Sequence, residues 1–409
     1  LIVVVNTGRS GESFTEYLGE QGVPWISLYD PQAVTAPASS GAEEVIAHTT
    51  VADTLDRLRP AGVTAVVPGS EAGVLLANEI AAGLGVAHND VRSAAARRDK
   101  YLMARAVLDH GLPGAETALV HTREELADTL QQWTDAFPVV LKPGASSGSE
   151  GVKIVSTLDD ALAAFESLNG TVNRLSVLNE GVVVQQYLDG TLYVVNTVSS
   201  NGAHVVTDVY EKRIDELNGS PVCRHLLLRR DLGDFEEAAG KYTMQCLDAL
   251  GFRNGAAHTE VMRTEDGPRL VEVNSRLMGP SMPSDVFVPA LGYSQATVLA
   301  ERYTDEPGFF RRIDSRYAPR RFFAQAQLRV HQRGRVRALP GVSAIRRLPG
   351  FLAFRKLPVP GHVVTDPLLT TAENGICYFA HESEEVLRDS LDQLHVLEDE
   401  GKVFDVVAM

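Results

Sequence analysis

The chain has 409 residues, 44% of them hydrophobic and 22% charged, with a formal net charge of -15. That length exceeds one compact core and predicts two to four domains of an ordinary globular protein. The acidic balance argues against general binding to nucleic acid or a membrane surface.

In chain order, LIVVV opens the sequence and is followed by Asn6-Thr7-Gly8, so it reads as a strand, neither a signal peptide nor a membrane span. The chain does not begin with Met, and a few native residues are expected to precede it. PWISLYD and TAVVPG read as further strands, with helices near Ser13 to Gln21 and Gly73 to Leu84. This is the βαβ rhythm of a parallel sheet over residues 1–95. The turn NTGRSGES carries glycines but does not match G-x-G-x-x-G, so it predicts no dinucleotide site. A helix is expected from Ser93 to His110, with Gly111 as its C-terminal cap.

From Pro138 the texture becomes β-rich. FPVVLKP, GVKIVST, VVVQQYL, TLYVVNTVSS, HVVTDVYEKR and RLVEVNS read as strands, and Leu158 to Leu168 and Phe235 to Leu250 as helices. TDEPGFFRRIDSRYAP has the composition of a linker in which Phe309 and Phe310 pack, and the arginines from Arg311 to Arg321 read as solvated. Residues 320–409 read as a small α+β module ending in the helix HESEEVLRDSLDQLHVLEDEG. Cys223, Cys246 and Cys377 lack metal spacing and suit a reducing cytoplasm.

Four stretches carry candidate chemistry. In VVLKPGASSGSEGV, Lys142 ends a strand and precedes a loop with Ser146, Ser147, Gly148, Ser149 and Gly151. Such a loop can turn successive backbone N–H groups toward an anion, and the lysine adds a point charge. It is not a Walker A loop, and taken alone it reads first as a flexible surface turn. Lys100 begins an apolar helix in RDKYLMARAVLDHGLP. In VVVQQYLDG, Gln185, Gln186, Tyr187 and Leu188 offer an amide oxygen, backbone groups and apolar neighbours suited to an adenine edge. In HTEVMRTEDGPRLVEVNSRLMG, two strands flank a turn at Glu265 to Pro268. Across that hairpin Glu260, Glu272 and Asn274 can converge as hard oxygen ligands for Mg²⁺, with Arg276 at the same even spacing. Taken alone, those residues read by default as a solvent-exposed polar strand face.

In order and spacing, these elements resemble the ATP-grasp superfamily, specifically carboxylate-amine ligases of the L-amino-acid ligase (dipeptide synthetase) type. The resemblance covers most of the chain and implies a mixed α/β and α+β architecture: a Rossmann-like domain over 1–95, a lid subdomain over 96–185, a second grasp subdomain over 186–305, and the terminal module, with its LPGFLAFRKLPVPGHVV, packed on the grasp core. It implies that Lys100, Lys142 and the loop hold ATP phosphates, that Gln185 to Leu188 hold adenine, and that Glu260, Glu272 and Asn274 bind two Mg²⁺, for which Mn²⁺ can substitute. Arg276 is then the catalytic residue facing an acyl phosphate, and Arg213 a γ-phosphate contact. Glu71 in VVPGSEAGV, Ser146, His225 in the expected loop SPVCRHLLL, Arg276 and Pro280 are the expected substrate contacts; an exposed helix-start acid, a solvated strand arginine and a packing histidine are the plain alternatives for Glu71, Arg213 and His225. The sequence departs from the family at Leu192, where an acid usually holds the ribose, and at Gln185, where Glu is common.

The implied reaction joins an amino-acid carboxylate to an amine, such as a second amino acid, through an acyl phosphate in the cytoplasm of a homodimeric protein acting on small molecules. The alternatives are another ATP-grasp enzyme, such as a carboxylase or purine-pathway ligase, and a non-catalytic ATP-binding regulator. Neither substrate is identified by the sequence, nor is the choice between an α- and a side-chain carboxylate.

Overall fold

The computed structural model describes all residues except 9, 36–40, 147, 149, 174, 218–219, 281, 366, 368–373 and 409, and the side chains of 216, 217 and 220. The N-terminal unit comprises β1 (Ile2–Val5), α1 (Glu12–Glu20), β2 (Trp25–Tyr29), β3 (Glu44–Ala47), α2 (Val51–Leu58), β4 (Ala65–Pro68) and α3 (Val74–Leu84). Its four strands run parallel in the order β3-β2-β1-β4. Buried on both faces, β1 reads as a continuous apolar run rather than an alternating one. One face packs on α2 and α3.

The next unit holds α4 (Lys100–Asp109), β5 (Thr117–Val120), α5 (Arg123–Gln132), β6 (Val139–Lys142), β7 (Lys153–Val155), α6 (Leu158–Leu168) and β8 (Val182–Gln186). Its antiparallel sheet, ordered β5-β8-β6-β7, is covered by α5 and α6 through Leu126, Leu130 and Phe165. The expected long helix from Ser93 begins only at Lys100; short 3₁₀ turns at Val91–Ser93 and Ala95–Arg97 precede it. The reason is Asp99, whose Oδ1 accepts from Leu102 N at 2.8 Å and caps α4. Gly111 then leaves the helix at φ +72°.

The large sheet is built from β9 (Thr191–Ser200), β10 (Ala203–Leu217), β11 (Ser220–Leu228), α7 (Asp234–Ala249), β12 (Gly255–Thr264) and β13 (Gly267–Asn274). Helices α8 (Ser284–Leu291), α9 (Gln295–Thr304) and α10 (Glu306–Ile313) follow. The segment expected to be a linker is thus partly helical, because Pro307 at its start and Asp305 as cap favour a turn that buries Phe309 against α9 while Phe310 stays 38% exposed. The same core carries α1, Trp25 and Leu299, so α9 joins the N-terminal sheet to the large one.

The last stretch holds β14 (Phe322–Gln327), β15 (Gly334–Ala338), α11 (Val342–Ile345), β16 (Phe351–Arg355), β17 (Val363–Val364), β18 (Ile376–His381), α12 (Glu384–Asp399) and β19 (Asp405–Val407). Three of its strands extend the large sheet, whose order is β13-β12-β9-β10-β11-β14-β18-β16. Helix α12 packs beneath it through Leu387, Leu391 and Leu394. No helix among the described residues is long and apolar enough to cross a membrane.

Candidate active site

A cleft of about 520 Å³ lies between the β5–β8 sheet and the large sheet. Val140, Val152 and Ile154 form one apolar wall, and Leu192, Met262 and Val271 the other. A flat aromatic ring fits between such walls. Gln186, Tyr187 and Leu188 line the connection from β8 to β9 at one end. Gly190 is needed there: at φ +148° its Cα lies so close to β12 that an added Cβ would sit 1.9 Å from Arg263 O.

Gln185 lines the cleft, but its side-chain amide is engaged within the protein. It is 6% exposed, its Oε1 accepts from Lys142 Nζ at 2.7 Å, and its Nε2 donates to Thr117 Oγ1 at 3.0 Å. The amide oxygen read from sequence as a partner for adenine thus accepts from Lys142 and orients that amine from beneath. Burial, reinforced by nearby Lys100, lowers the Lys142 pKa to about 8.

The loop after β6 is tied to the start of α4, since Lys100 N donates to Gly144 O at 2.9 Å. Lys100 Nζ lies 3.1 Å from Glu272 Oε2 and donates to Ser146 O at 3.3 Å. Ser146 and Gly148 line the cleft, and Gly151 turns back toward β7 at φ +71°. Ser147 and Ser149 lie outside the described residues.

On the large sheet, Glu260 of β12 pairs directly with Glu272 of β13. A bulge after Glu260 shifts the register, so Val261 pairs with Leu270 and both join Val273 in the core on the opposite face. Even spacing from Leu270 onward thus fails at the bulge, while Glu272 and Asn274 keep one face. Asn274 Nδ2 donates to Glu272 Oε1 at 3.0 Å. Arg276, two residues beyond the strand, donates from Nη2 to Asn274 Oδ1 at 3.1 Å and from Nε to Glu71 Oε2 at 2.8 Å.

Both carboxylates carry a lysine partner. Lys212 Nζ donates to Glu260 Oε1 at 2.6 Å. Burial alone would raise the Glu260 pKa, but Lys212 and then His258 outweigh it and hold the group well below its usual range. Burial likewise opposes ionisation of Glu272, and Lys100 outweighs it. Lys212 was not singled out from sequence; Arg213 was. Arg213 borders the cleft, but its side chain is 66% exposed and reaches Asp215 at 3.2 Å. The signal available was parity along β10, since Asp208, Tyr210 and Lys212 alternate onto one face.

The expected substrate residues separate. Glu71, in a 3₁₀ turn after β4, has both oxygens engaged: Arg98 Nη1 donates to Oε1 at 3.0 Å and Arg276 to Oε2. Arg98 also escaped the sequence reading. His225 lies in strand β11, not a loop, and its ring stacks on His395 of α12 at 5.0 Å. Its neighbour two residues on, Leu227, packs with Leu387 and Leu391, so His225 faces α12 and not the Glu260 side. Burial lowers its pKa to about 4. Pro280 lies in the connection from Arg276 to α8 and is not part of the cleft lining.

The described residues contain no cluster of three or more acidic, His or Cys side chains suited to a metal. The donor set is instead two paired carboxylates and one amide. Hard oxygen donors of this number fit Mg²⁺, which keeps waters and shares phosphate oxygens.

Residues 135–285 match the ATP-grasp domain family. The chain is 32% identical over 285 residues to dapdiamide A synthase of Enterobacter agglomerans, covering 68% of this chain and 65% of that protein. It is 26% identical over 199 residues to phosphoribosylamine–glycine ligase of Methanothermobacter thermautotrophicus, covering 44% and 45%. The matches span less than two thirds of the length of these curated relatives. Among solved structures, the L-amino acid ligase from Bacillus licheniformis superposes with TM-score 0.79 at 17% identity, covering 100% of this chain and 98% of that one. Phosphoribosylglycinamide synthetase from Anaerococcus prevotii gives 0.69 at 12%, covering 100% and 99%. At such identities the likeness speaks for a shared fold. Residues 135–285 thus carry the ATP-grasp domain match, and the chain as a whole shares the fold of these ligase and synthetase structures.

Proposed function

We propose that the chain is an ATP-dependent carboxylate–amine ligase that activates a carboxylate, such as that of an amino acid, as an acyl phosphate and transfers the acyl group to an amine. The observation that carries this reading is the row Glu272, Asn274, Arg276, with Glu260 opposite Glu272 and Lys212, Lys100 and Lys142 around it. Similarity to dapdiamide A synthase and to an L-amino acid ligase supports the substrate class.

In the first step a carboxylate oxygen attacks the γ-phosphorus, and the bond to the β-γ bridging oxygen breaks to release ADP. Two anions must meet, so the barrier is largely electrostatic and falls through positioning and neutralisation. Lys142, Lys100 and Lys212 surround the phosphate end of the cleft, and Arg276 stands beyond Asn274 where the acyl oxygens would gather charge. Mg²⁺ held by Glu260, Glu272 and Asn274, with Mn²⁺ able to replace it, would supply the remaining neutralisation of phosphate charge. In the second step a neutral amine attacks the acyl carbon, phosphate leaves, and the amine gives up a proton. Closure of the loop after β6 would keep water from the acyl phosphate.

The test is phosphate release from ATP and Mg²⁺ over a panel of amino acids, singly and in pairs, with mass spectrometry of the products. A pair that stimulates release and yields its condensed product is expected. Phosphate release that no carboxylate–amine pair stimulates would remove the ligase reading.

A further inference from the structure

The loop after β6 is held from outside at three successive carbonyls. Gly144 O accepts from Lys100 N at 2.9 Å, Ala145 O from Asn173 Nδ2 at 2.7 Å, and Ser146 O from Lys100 Nζ at 3.3 Å. Two of these donors belong to Lys100, which lines the cleft. The third comes from residues 169–181, which join α6 to β8 and none of whose described residues lines the cleft.

Apolar packing does little to hold that connection, since Val172, Val177 and Leu178 are 67%, 41% and 48% exposed. Between 171 and 180 the buried residues, among those described, are Asn173 and Asn179 alone. An asparagine buried in a surface connection is kept there by its hydrogen bonds, which replace the water it has lost. Asn173 Oδ1 accepts from Leu175 N at 2.9 Å and from Val177 N at 3.3 Å, folding the connection back on itself. Those two donors fix which end of the amide is oxygen. Nδ2 is therefore the end turned to Ala145 O, and also to Asn179 Oδ1 at 3.0 Å. Asn179 Nδ2 donates in turn to Thr171 Oγ1 at 3.1 Å and to Leu168 O, at the end of α6, at 3.4 Å. A run of hydrogen bonds thus leads from the last residue of α6 to the carbonyl of Ala145.

The peptide joining Ala145 to Ser146 is planar and trans, so its C=O and N–H point in opposite directions. With the carbonyl turned to Asn173, the Ser146 N–H is turned away from it, and Ser146 lines the cleft. An N–H held in that direction is preorganised for an anion. We propose that Asn173 is a positioning residue for the phosphate-binding loop: by taking the Ala145 carbonyl it aims the Ser146 N–H at the phosphates of ATP and ties the loop to α6. The inference rests on the reading of this loop as the holder of ATP phosphates, not on the choice of carboxylate or amine. The plain alternative is that Asn173 folds its own connection and nothing more.

The test is equilibrium binding of ATP and of adenosine to the full chain, by calorimetry at saturating Mg²⁺. It needs no turnover, so it stands apart from the test of the ligase reading. Asn173→Ser keeps an oxygen able to accept within the turn but is too short to reach Ala145. It should weaken ATP about tenfold and adenosine by less than about twofold, because only the phosphates meet the loop. Thr171→Val loosens the same connection at Asn179 and Leu168 without touching the loop, and should leave both affinities within about twofold. Equal losses of ATP and adenosine in Asn173→Ser, no loss of ATP there, or an equal loss of ATP in Thr171→Val would each overturn the proposal. If Asn173→Ser does not fold, hydrogen exchange on the unaltered protein decides. On adding ATP, the amides of Leu175 and Val177 should gain protection together with those of Ala145 and Ser146. Protection of the loop alone, or of neither, overturns the proposal. Should the unaltered protein bind ATP no tighter than adenosine, the phosphate-loop reading fails first and takes this one with it.

Discussion

Lys142 is buried, donates to Gln185 and has its pKa lowered to about 8, chiefly by burial and then by Lys100. Its ordinary value is 10.5. The charged fraction should fall from about nine tenths near pH 7 to about one tenth near pH 9. If only the charged form takes a phosphate oxygen, ATP affinity drops about tenfold over that range, about 1.4 kcal/mol. The stability of the free protein moves the other way. Between about pH 8 and 10.5 the unfolded chain binds the extra proton, so stability rises with pH, and the charged buried amine costs about 3 kcal/mol below that window. Calorimetric titration of ATP at saturating Mg²⁺, from about pH 6.5 to 9.5, reads the first effect. Lys142→Arg stays charged and should flatten the profile, whereas Gln185→Glu sets a carboxylate on the amine and should move the fall to higher pH. A flat wild-type profile, or a fall of equal size in Lys142→Arg, would refute the reasoning.

Arg276→Ala should lower turnover by about 10²–10³ while ATP affinity changes little if, as proposed, its guanidinium meets charge that develops only on the acyl group. Steady-state phosphate release beside an ATP titration separates the two, and full activity would remove the role assigned to it. Lys212→Met should also lower kcat by about 10²–10³. Arg213→Met, which removes an exposed side chain paired with Asp215, should stay within about threefold, so the opposite ranking would restore Arg213 as the phosphate contact.

Most strands and helices of the β-rich half were legible because their apolar runs are long, whereas β11 was read as a loop. Leu158–Leu168 emerges with the boundaries read from sequence. The short strand Glu44–Ala47 was not, since four residues with exposed ends leave almost no pattern. Glu260, Glu272, Asn274 and Arg276 do come together. The direction of each side chain was much harder to read. Gln185 turns inward because Lys142 and Thr117, from neighbouring strands, satisfy its amide. His225 turns to α12 because a strand, not a loop, fixes its parity. Lys212 and Arg213 are adjacent and chemically alike in sequence, and only the face each takes on β10 tells them apart. Leu192, which departs from the family pattern, fills an apolar wall with Met262 and Val271.

The pairing of Glu260 with Lys212 and Glu272 with Lys100 bears on how a cation would enter. Two carboxylates directly opposite on adjacent strands repel, and without compensation one would hold a proton near neutrality. The lysines prevent this, and both acids lie well below their usual range although burial opposes it. An incoming cation would therefore displace an ammonium, not a proton, and the freed lysines would be left facing the phosphates. Adding Mn²⁺ to the ADP-bound protein near pH 7, in buffers of different ionisation enthalpy, should release less than about 0.2 proton. Release approaching one proton would mean that one carboxylate stays protonated until the ion arrives. The lysine pairs would then be too weak to govern the site, because an ammonium 2.6 Å from Glu260 and another 3.1 Å from Glu272 would have failed to offset their mutual repulsion.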